Sequence, residues 1–452
     1  MTPETGQQRS VYRSILIVGG GIAGITAAVE AAEAGYDVVI VEKEPYLGGR
    51  VVQLYKYFPK LCPPTCGMEI NFRRIKDNPR VRFYTLAEVE QISGRPGNFD
   101  VTVRLRPRYV NDRCTACNAC VAVCPAERPN AFNFGMGKTK AIYLAHEMAF
   151  PMKYAIDESA CRLTECAQCV EVCDYGAIDL TMQPKTMTLK VGAVIIATGW
   201  KPYDASRIDN LGFGKHPDVI TNVMMERLAA PNGPTKGKIL RPSNGQEVQS
   251  AVFIQCAGSR DLNHLGYCSG ICCLASLKEA TYLRERNPDA RAHIFYIDLR
   301  TPGTYQFFSQ KVLKDDHITV TKGKVAKITE DPATRQLIVE AEDILSAEKT
   351  RLPVDLVVLA SGMVSNLVDG KMAGVVAFDK DHFVVETPEG EGIFAAGCAK
   401  GPFDVATSVQ DATAAAAQAI ETIHSLGGGV HPPSDASPHG LRGQSPRPNA
   451  AE

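Results

Sequence analysis

The sequence predicts an α/β fold of two dinucleotide-binding-type units, with a cysteine-rich insert inside the first. Three observations carry this reading. Residues 14–42 run strand, glycine turn, helix, strand (SILIV, GGGIAG, ITAAVEAAEAG, YDVVIVE), the alternation expected of a parallel βαβ unit. A second strand–helix–strand run begins at AVFIQC (251–256) and ends at IFYID (294–298). Between the two, from about residue 101 to 182, the alternation gives way to clustered cysteines.

Taken in chain order, the first unit carries the clearest chemistry. Gly19, Gly21 and Gly24 form G-x-G-x-x-G directly after a strand and at the start of a helix. The first glycine permits a tight turn, the second lets the backbone approach a pyrophosphate, and the third lets helix and strand pack closely. The helix N-terminus adds N–H groups and a positive dipole end for the phosphates. Glu42, ending the second strand, is placed to accept hydrogen bonds from an adenosine ribose.

Cys114, Cys117, Cys120 and Cys124, followed by Pro125, reproduce the bacterial ferredoxin spacing C-x2-C-x2-C-x3-C-P. Cys161, Cys166, Cys169 and Cys173 repeat it with two extra residues in the first gap. Three close thiolates wrap one cubane and the distant fourth closes its partner. One [4Fe–4S] cluster is therefore expected on Cys114, Cys117, Cys120 and Cys173, and a second on Cys124, Cys161, Cys166 and Cys169. Zinc is the competing reading for any CxxC pair, but eight cysteines in this order fit a ferredoxin-like 2×[4Fe–4S] insert better.

The second unit departs from the first at its strand–helix junction. IQCAGSRDLNHLGYCSGICC (254–273) has no G-x-G-x-x-G and carries Cys256, Cys268, Cys272 and Cys273. The phosphate cradle is lost, so NAD(P)H is not the expected reductant. Adjacent cysteines at a helix start, with a third one turn earlier, suit a metal centre, although buried thiols packing as small hydrophobes would fit too. Cys62 and Cys66 (CPPTC) stay unassigned between a thiol pair and ligands. DLVVLASG (355–362) is a further apolar strand, and GIFAAG (392–397) opens a strand, turn and alanine-rich helix. The division expected is 1–105, 183–245 and 351–425 for the first unit, 106–182 for the insert, 246–350 for the second unit, and 426–452 as a disordered Gly/Pro/Ser-rich tail.

Composition bounds the rest. With 45% hydrophobic and 22% charged residues and a net charge of −1, nothing indicates a nucleic-acid surface or a polybasic membrane patch. No apolar run approaches the roughly 20 residues of a membrane helix, so no direct membrane span is expected. Fifteen cysteines behind a polar N-terminus (MTPETGQQRSVYRS) indicate metal ligands in a reducing cytoplasm rather than a disulfide scaffold. No Ser–His–Asp or paired-carboxylate arrangement points to hydrolysis.

The glycine loop, KEPYLGGR after Glu42, ATG (197–199) and GIFAAG together resemble the thioredoxin-reductase-like flavoproteins. The resemblance implies FAD in the first unit, with Gly49, Arg50, Thr198, Gly199, Gly397 and Cys398 among its contacts. Where those proteins commonly carry Gly-Asp after the last strand, this sequence has Gly397-Cys398, which leaves the ribityl contact open. The order flavin strand, CxxCxxCxxxCP insert, ATG strand, cysteine-bearing second unit resembles the HdrA-like flavoproteins of heterodisulfide reductase over about residues 14–422. Within that group, residues 58–79 are more similar to the corresponding flavoprotein, QmoA, of the quinone-interacting membrane-bound oxidoreductase of sulfur metabolism. The resemblance implies a third, atypical [4Fe–4S] cluster on Cys256, Cys268, Cys272 and Cys273. It also implies Lys278 as a cation near the flavin N5, the alternative being a solvated helix lysine.

The partners implied are adenylylsulfate reductase, a second flavin/iron–sulfur subunit (QmoB-like) and a haem-bearing quinone-reactive membrane subunit (QmoC-like). The protein is then expected to be cytoplasmic and held peripherally at the membrane through those subunits. The alternative is a soluble heterodisulfide-reductase-like complex acting on sulfur-carrier thiols.

Overall fold

The computed structural model describes residues 11–370, 372, 375–385 and 392–427. β1 (Ser14–Val18), α1 (Ile22–Glu33) and β2 (Asp37–Glu42) form the first βαβ unit, with β1 and β2 parallel. After a loop and α2 (Thr65–Asp77), β3 (Val81–Thr85) extends the sheet beside β2. Ile15, Leu16, Ile17, Val38, Val39, Ile40 and Val41 are all buried, the continuous apolar run of a sheet covered on both faces. β4 (Ala87–Arg95) and β5 (Asn98–Leu105) turn away as an antiparallel pair, joined by β6 (Lys185–Val191). β7 (Ala193–Ile196) then returns to pair with β1.

The insert hangs between β5 and β6. It holds two short helices, Ala119–Val123 and Gln168–Glu171, and two small antiparallel ribbons, packed on a core of Tyr109, Val110, Ile142, Tyr154, Ile156 and Ile178. Its ends leave and rejoin the antiparallel layer side by side, since Leu105 pairs with Lys185.

The second unit contains β8 (Val219–Thr221), α3 (Asn222–Ala229), β9 (Ser250–Ala257), α4 (Cys272–Arg286), β10 (Arg291–Tyr296) and α5 (Tyr305–Val312). β11 (Ile318–Glu330), β12 (Leu337–Asp343), β13 (Lys349–Val354) and β14 (Leu356–Ser361) complete a seven-stranded sheet of order β8-β14-β9-β10-β11-β12-β13. This unit is wider than the 246–350 window expected from the sequence. DLVVLASG, assigned there to the flavin unit, is β14, between β8 and β9 in the second sheet. A fully buried parallel strand reads as the same apolar run whichever sheet it joins.

Two adjacent crossings connect the units. Trp200–Pro202 pairs antiparallel with Met363–Ser365, and Asn366 ties to the first crossing through Nδ2 to the Thr198 carbonyl (2.7 Å). β15 (Ile393–Ala395) then re-enters beside β7, giving the order β15-β7-β1-β2-β3. α6 (Val405–Ser425), capped by Asp404 on the Thr407 N–H, lies on α1. Ala27, Ala28 and Ala31 share one core with Ala412, Ala415, Ala416 and Ala419, small side chains that let the two helix backbones approach closely. Of the expected tail, Leu426 and Gly427 are described; the rest lies outside the described residues. Among the described residues no helix is long and apolar enough to cross a membrane.

Candidate flavin and iron–sulfur sites

The glycine loop is shaped by what surrounds it. Gly19 has φ +110°, and a Cβ there would sit 2.3 Å from the Ala197 carbonyl oxygen. A Cβ on Gly24 would meet the Gly19 oxygen at 1.9 Å, so α1 rests directly on the end of β1. No side chain caps the start of α1, leaving its first N–H groups for an anion. Beside the loop, Glu42 is buried; it accepts from the Gly20 N–H (2.6 Å, Oε2) and the Glu44 N–H (2.8 Å, Oε1). Burial pushes its carboxyl up to about 7, against the opposing pull of these two N–H groups.

The other expected flavin contacts converge on the same end of the sheet. Gly49 approaches the loop so closely that a Cβ on it would lie 2.8 Å from the Gly21 Cα. Arg50 donates to the Trp200 carbonyl (3.2 Å) and Gln53 (3.0 Å), with Phe134 and Trp200 against its guanidinium. The Thr198 hydroxyl is buried and unpartnered, and Gly199, at φ +70°, begins the crossing. Gly397 donates its N–H to Asp411 (2.7 Å). Cys398 is buried, its thiol against the Phe403 carbonyl (3.3 Å) and the Ser408 hydroxyl (3.7 Å). The protein's own backbone thus takes the side chain that stands where an Asp was expected from the resemblance. The glycine cradle, the uncapped helix and the orphaned Thr198 hydroxyl fit a bound FAD.

In the insert, Cys114, Cys117, Cys120 and Cys173 line one hollow, and Cys124, Cys161, Cys166 and Cys169 line another. The chain wraps each hollow by left-handed turns: Ala116 and Asn118 in the first motif, Leu163 and Ala167 in the second. Each helix following such a turn carries a cysteine inward, Cys120 and Cys169. Burial pushes these thiols up to about 12 and about 11, with neighbouring cysteines adding to the shift. The Cys161 sulfur accepts from the Leu163 N–H (3.3 Å) and the Cys173 sulfur from the Ala177 N–H (3.3 Å). Among the described residues no three His, Cys, Asp or Glu side chains converge tightly enough for a single ion. The eight thiols wall two hollows, four to each, a donor set whose chemistry fits cubanes.

In the second unit, Cys256 lies at a bulge near the end of β9 with φ +55°, and Cys272 and Cys273 open α4. Burial is the main cause raising all three thiols, and both Cys272 and Cys273 lie within charge range of Cys256 and Cys268. Residues 258–271 are fixed by the chain itself. Leu265 N–H donates to the Gly258 carbonyl (2.9 Å), Tyr203 meets His264 (2.7 Å), and Tyr267 donates to the Met363 carbonyl (2.7 Å). Arg260 faces Cys256 and opposes the rise of its thiol. The structure thus gathers the four predicted cysteines at one strand–helix junction. Cys62 and Cys66 are exposed.

Lys278 is buried rather than solvated. Its ammonium pairs with Glu226 Oε1 (2.8 Å) and donates to the Lys56 carbonyl (2.8 Å). Sequence reasoning missed Glu226 and the neighbouring Glu279, both buried, because nothing in their mixed polar and apolar helices marks them as interior. It also missed Arg227, which is fully buried and joins the three parts of the molecule. Arg227 donates to Asn133 of the insert (2.9 Å) and to the Gln53 carbonyl of the first unit (3.1 Å), with Phe132 under its guanidinium.

A family described as FAD dependent oxidoreductase matches residues 14–62. The chain is 40% identical over 429 residues to an iron–sulfur A subunit (copy 1) of the CoB–CoM heterodisulfide reductase of Methanopyrus kandleri, covering 90% of this chain and 64% of that protein. Over most of its own length the chain is thus similar to the HdrA-like subunits of heterodisulfide reductase. The equivalent iron–sulfur protein of Methanocaldococcus jannaschii is 40% identical over 423 residues with the same coverages. Its counterpart in the H2:CoB–CoM heterodisulfide, ferredoxin reductase of Methanothermobacter thermautotrophicus is 35% identical over 433 residues, covering 93% of this chain and 65% of that protein. The chain therefore spans just under two thirds of the length of these relatives. Among solved structures, thioredoxin reductase from T. acidophilum aligns with a TM-score of 0.51 at 16% identity, covering 90% of this chain and 98% of that one. That likeness establishes a thioredoxin-reductase-like fold for this chain.

Proposed function

We propose that this chain is the FAD- and iron–sulfur-carrying electron-transfer subunit of an oxidoreductase complex. Two [4Fe–4S] clusters sit in a ferredoxin-like insert, and a third is held by Cys256, Cys268, Cys272 and Cys273. The observation that carries the reading is the presence, in one fold, of an uncapped glycine loop and three separate four-cysteine sets. FAD supplies conversion between two-electron and one-electron traffic. The chain's own residues bind and orient: the glycine loop and α1 take the pyrophosphate, Glu42 the ribose, and the Gly49–Arg50 and Thr198–Gly199 turns the flavin end. Lys278, the cation expected near the flavin N5, is desolvated and paired with Glu226 on the second-unit side. The fixed loop 258–271 leaves no phosphate cradle for a nicotinamide nucleotide.

In the fuller reading the complex adds a second flavin/iron–sulfur subunit together with a haem-bearing, quinone-reactive membrane subunit, which holds this chain at the cytoplasmic face. Electrons then pass between a quinone pool and adenylylsulfate reductase. The resemblance of the stretch 58–79 to the quinone-linked flavoprotein supports this version. The names of the relatives favour a second reading, a soluble heterodisulfide-reductase-like complex acting on thiol/disulfide sulfur carriers. Anaerobic assay of the natively purified complex with a short-chain quinol and with a sulfur-carrier disulfide separates them. Oxidation of the quinol with reduction of this chain's flavin supports the quinone version; disulfide reduction without quinol activity replaces it with the second.

A further inference from the structure

A polar stripe runs into the interior from the four-cysteine centre. Cys272, Ser276 and Glu279 lie at i, i+4 and i+7 on α4, one above the other on the same helix face, spanning about 10 Å of its axis. Ser276 is fully buried and its hydroxyl has no partner; Glu279 is 1% exposed and its Oε2 has none either. At the inner end of the stripe Glu279 meets Glu226 of α3. Glu226 accepts from the Tyr55 N–H (2.8 Å, Oε2) and the Tyr282 hydroxyl (3.1 Å), and pairs with Lys278 (2.8 Å). The groups facing Glu279 are thus Glu226 from α3, and Lys278, Tyr282 and Cys272 from α4 itself. Two buried carboxyls thus lie beside one ammonium, which pairs with Glu226. Ionising both would leave a net negative charge in the interior, which burial opposes strongly. In agreement, burial and the Glu226 charge hold the Glu279 carboxyl well above its ordinary value.

We infer that Glu279 and Glu226 hold one shared proton in the interior, two helical turns from the four-cysteine centre, so that reducing the centre is coupled to proton uptake by the pair. The coupling rests on the reading of those cysteines as a cluster site. The balance is simple: the centre gains one electron from the flavin or from a partner iron–sulfur protein, and the pair gains one proton from solvent. Added negative charge at the centre raises the proton affinity of a carboxyl two helical turns away, in a medium that screens poorly. Glu279 is a positioning residue for charge and touches no reacting atom.

Reductive titration of the anaerobic holoprotein, followed by electron paramagnetic resonance at a series of pH values, tests the coupling. The third centre's midpoint potential is expected to fall with rising pH over the range in which the pair titrates. Glu279→Gln should flatten that profile with iron and FAD per chain unchanged, and Glu279→Asp should restore a slope. A flat wild-type profile, or the same slope in Glu279→Gln, overturns the coupling. Should Glu279→Gln fail to fold, infrared spectra of glutamate-labelled wild-type protein decide the shared proton. A protonated carboxylic acid band at neutral pH, shifting on reduction, supports it, and its absence overturns it. Iron analysis reads the cluster assignment separately, since a protein without the third cluster would keep the acid band while losing four irons.

Discussion

The two units start from the same five-strand arrangement and treat its strand–helix junction in opposite ways. In the first, β15-β7-β1-β2-β3 places β1 at the centre; in the second, β8-β14-β9-β10-β11 places β9 there. Only Gly19, Gly20 and Gly21 separate β1 from α1, and α1 opens with free N–H groups. Between β9 and α4 the chain instead runs through residues 258–271, pinned by its own hydrogen bonds, and α4 opens with two cysteines. One scaffold position thus leaves free helix N–H groups in one unit and gathers thiols in the other. What differs is loop length and side-chain chemistry, since strand order and helix placement are shared. A parallel sheet fixes where a ligand sits, at the carboxyl ends of its strands, and leaves its identity to the loop.

The comparison breaks most visibly in the first loop. Gly24→Ala places a methyl against the Gly19 carbonyl, and Gly19→Ala adds about 1–2 kcal/mol of left-handed backbone strain. FAD per purified chain should fall at least about tenfold in either variant, equivalent to about 1.4 kcal/mol of binding. Gly266→Ala in the second loop has open space and should leave both iron and FAD unchanged. Equal sensitivity of the two loops would dissolve the contrast.

A smaller effect is expected with nicotinamide nucleotides. NADH and NADPH should reduce the bound flavin of the isolated protein at least about tenfold more slowly than a low-potential one-electron donor, read by stopped-flow absorbance. Rapid stoichiometric bleaching by either nucleotide would mean that the second unit still holds a phosphate.

The smallest effect sharpens the first site. The Glu42 carboxyl is raised to about 7 in the flavin-free fold, chiefly by burial. A raised acid contributes stability that is fully present below its unfolded value, near 4.5, and is lost as pH rises through about 7. Ribose hydroxyls donating to this carboxylate favour its charged form. Flavin binding to apoprotein should therefore release up to one proton at a pH between these values, and essentially none in Glu42→Gln. Calorimetry in buffers of different ionisation enthalpy measures it.

Much of this contrast was legible in the sequence because it is local. Gly19, Gly21, Gly24 and Glu42 fall within one βαβ run, and the ferredoxin spacings of the insert fix their thiols over short loops. The four cysteines of 254–273 straddle one strand–helix junction, so their convergence needed no distant contact. The boundaries of the second unit were not legible. Val219–Thr221 is short, and β14 looks like any buried parallel strand, so neither declares its sheet. The buried pair was hidden for a related reason: Glu226 and Glu279 sit on different helices, and only tertiary packing brings them together. Cys398 shows the reverse limit, where a family expectation pointed to flavin and the local backbone took the thiol instead.

The central claim is that the second unit's loop has exchanged a phosphate for a metal centre, and iron per FAD tests it most directly. Reconstituted anaerobic protein should contain about twelve irons per FAD, four for each of three cubanes. Cys272→Ala and Cys273→Ala should each lower that toward about eight, with FAD retained, because the glycine loop lies in the other unit. About eight irons in the wild type, unchanged in both variants, would return the four cysteines to the core as packing thiols and contradict the account.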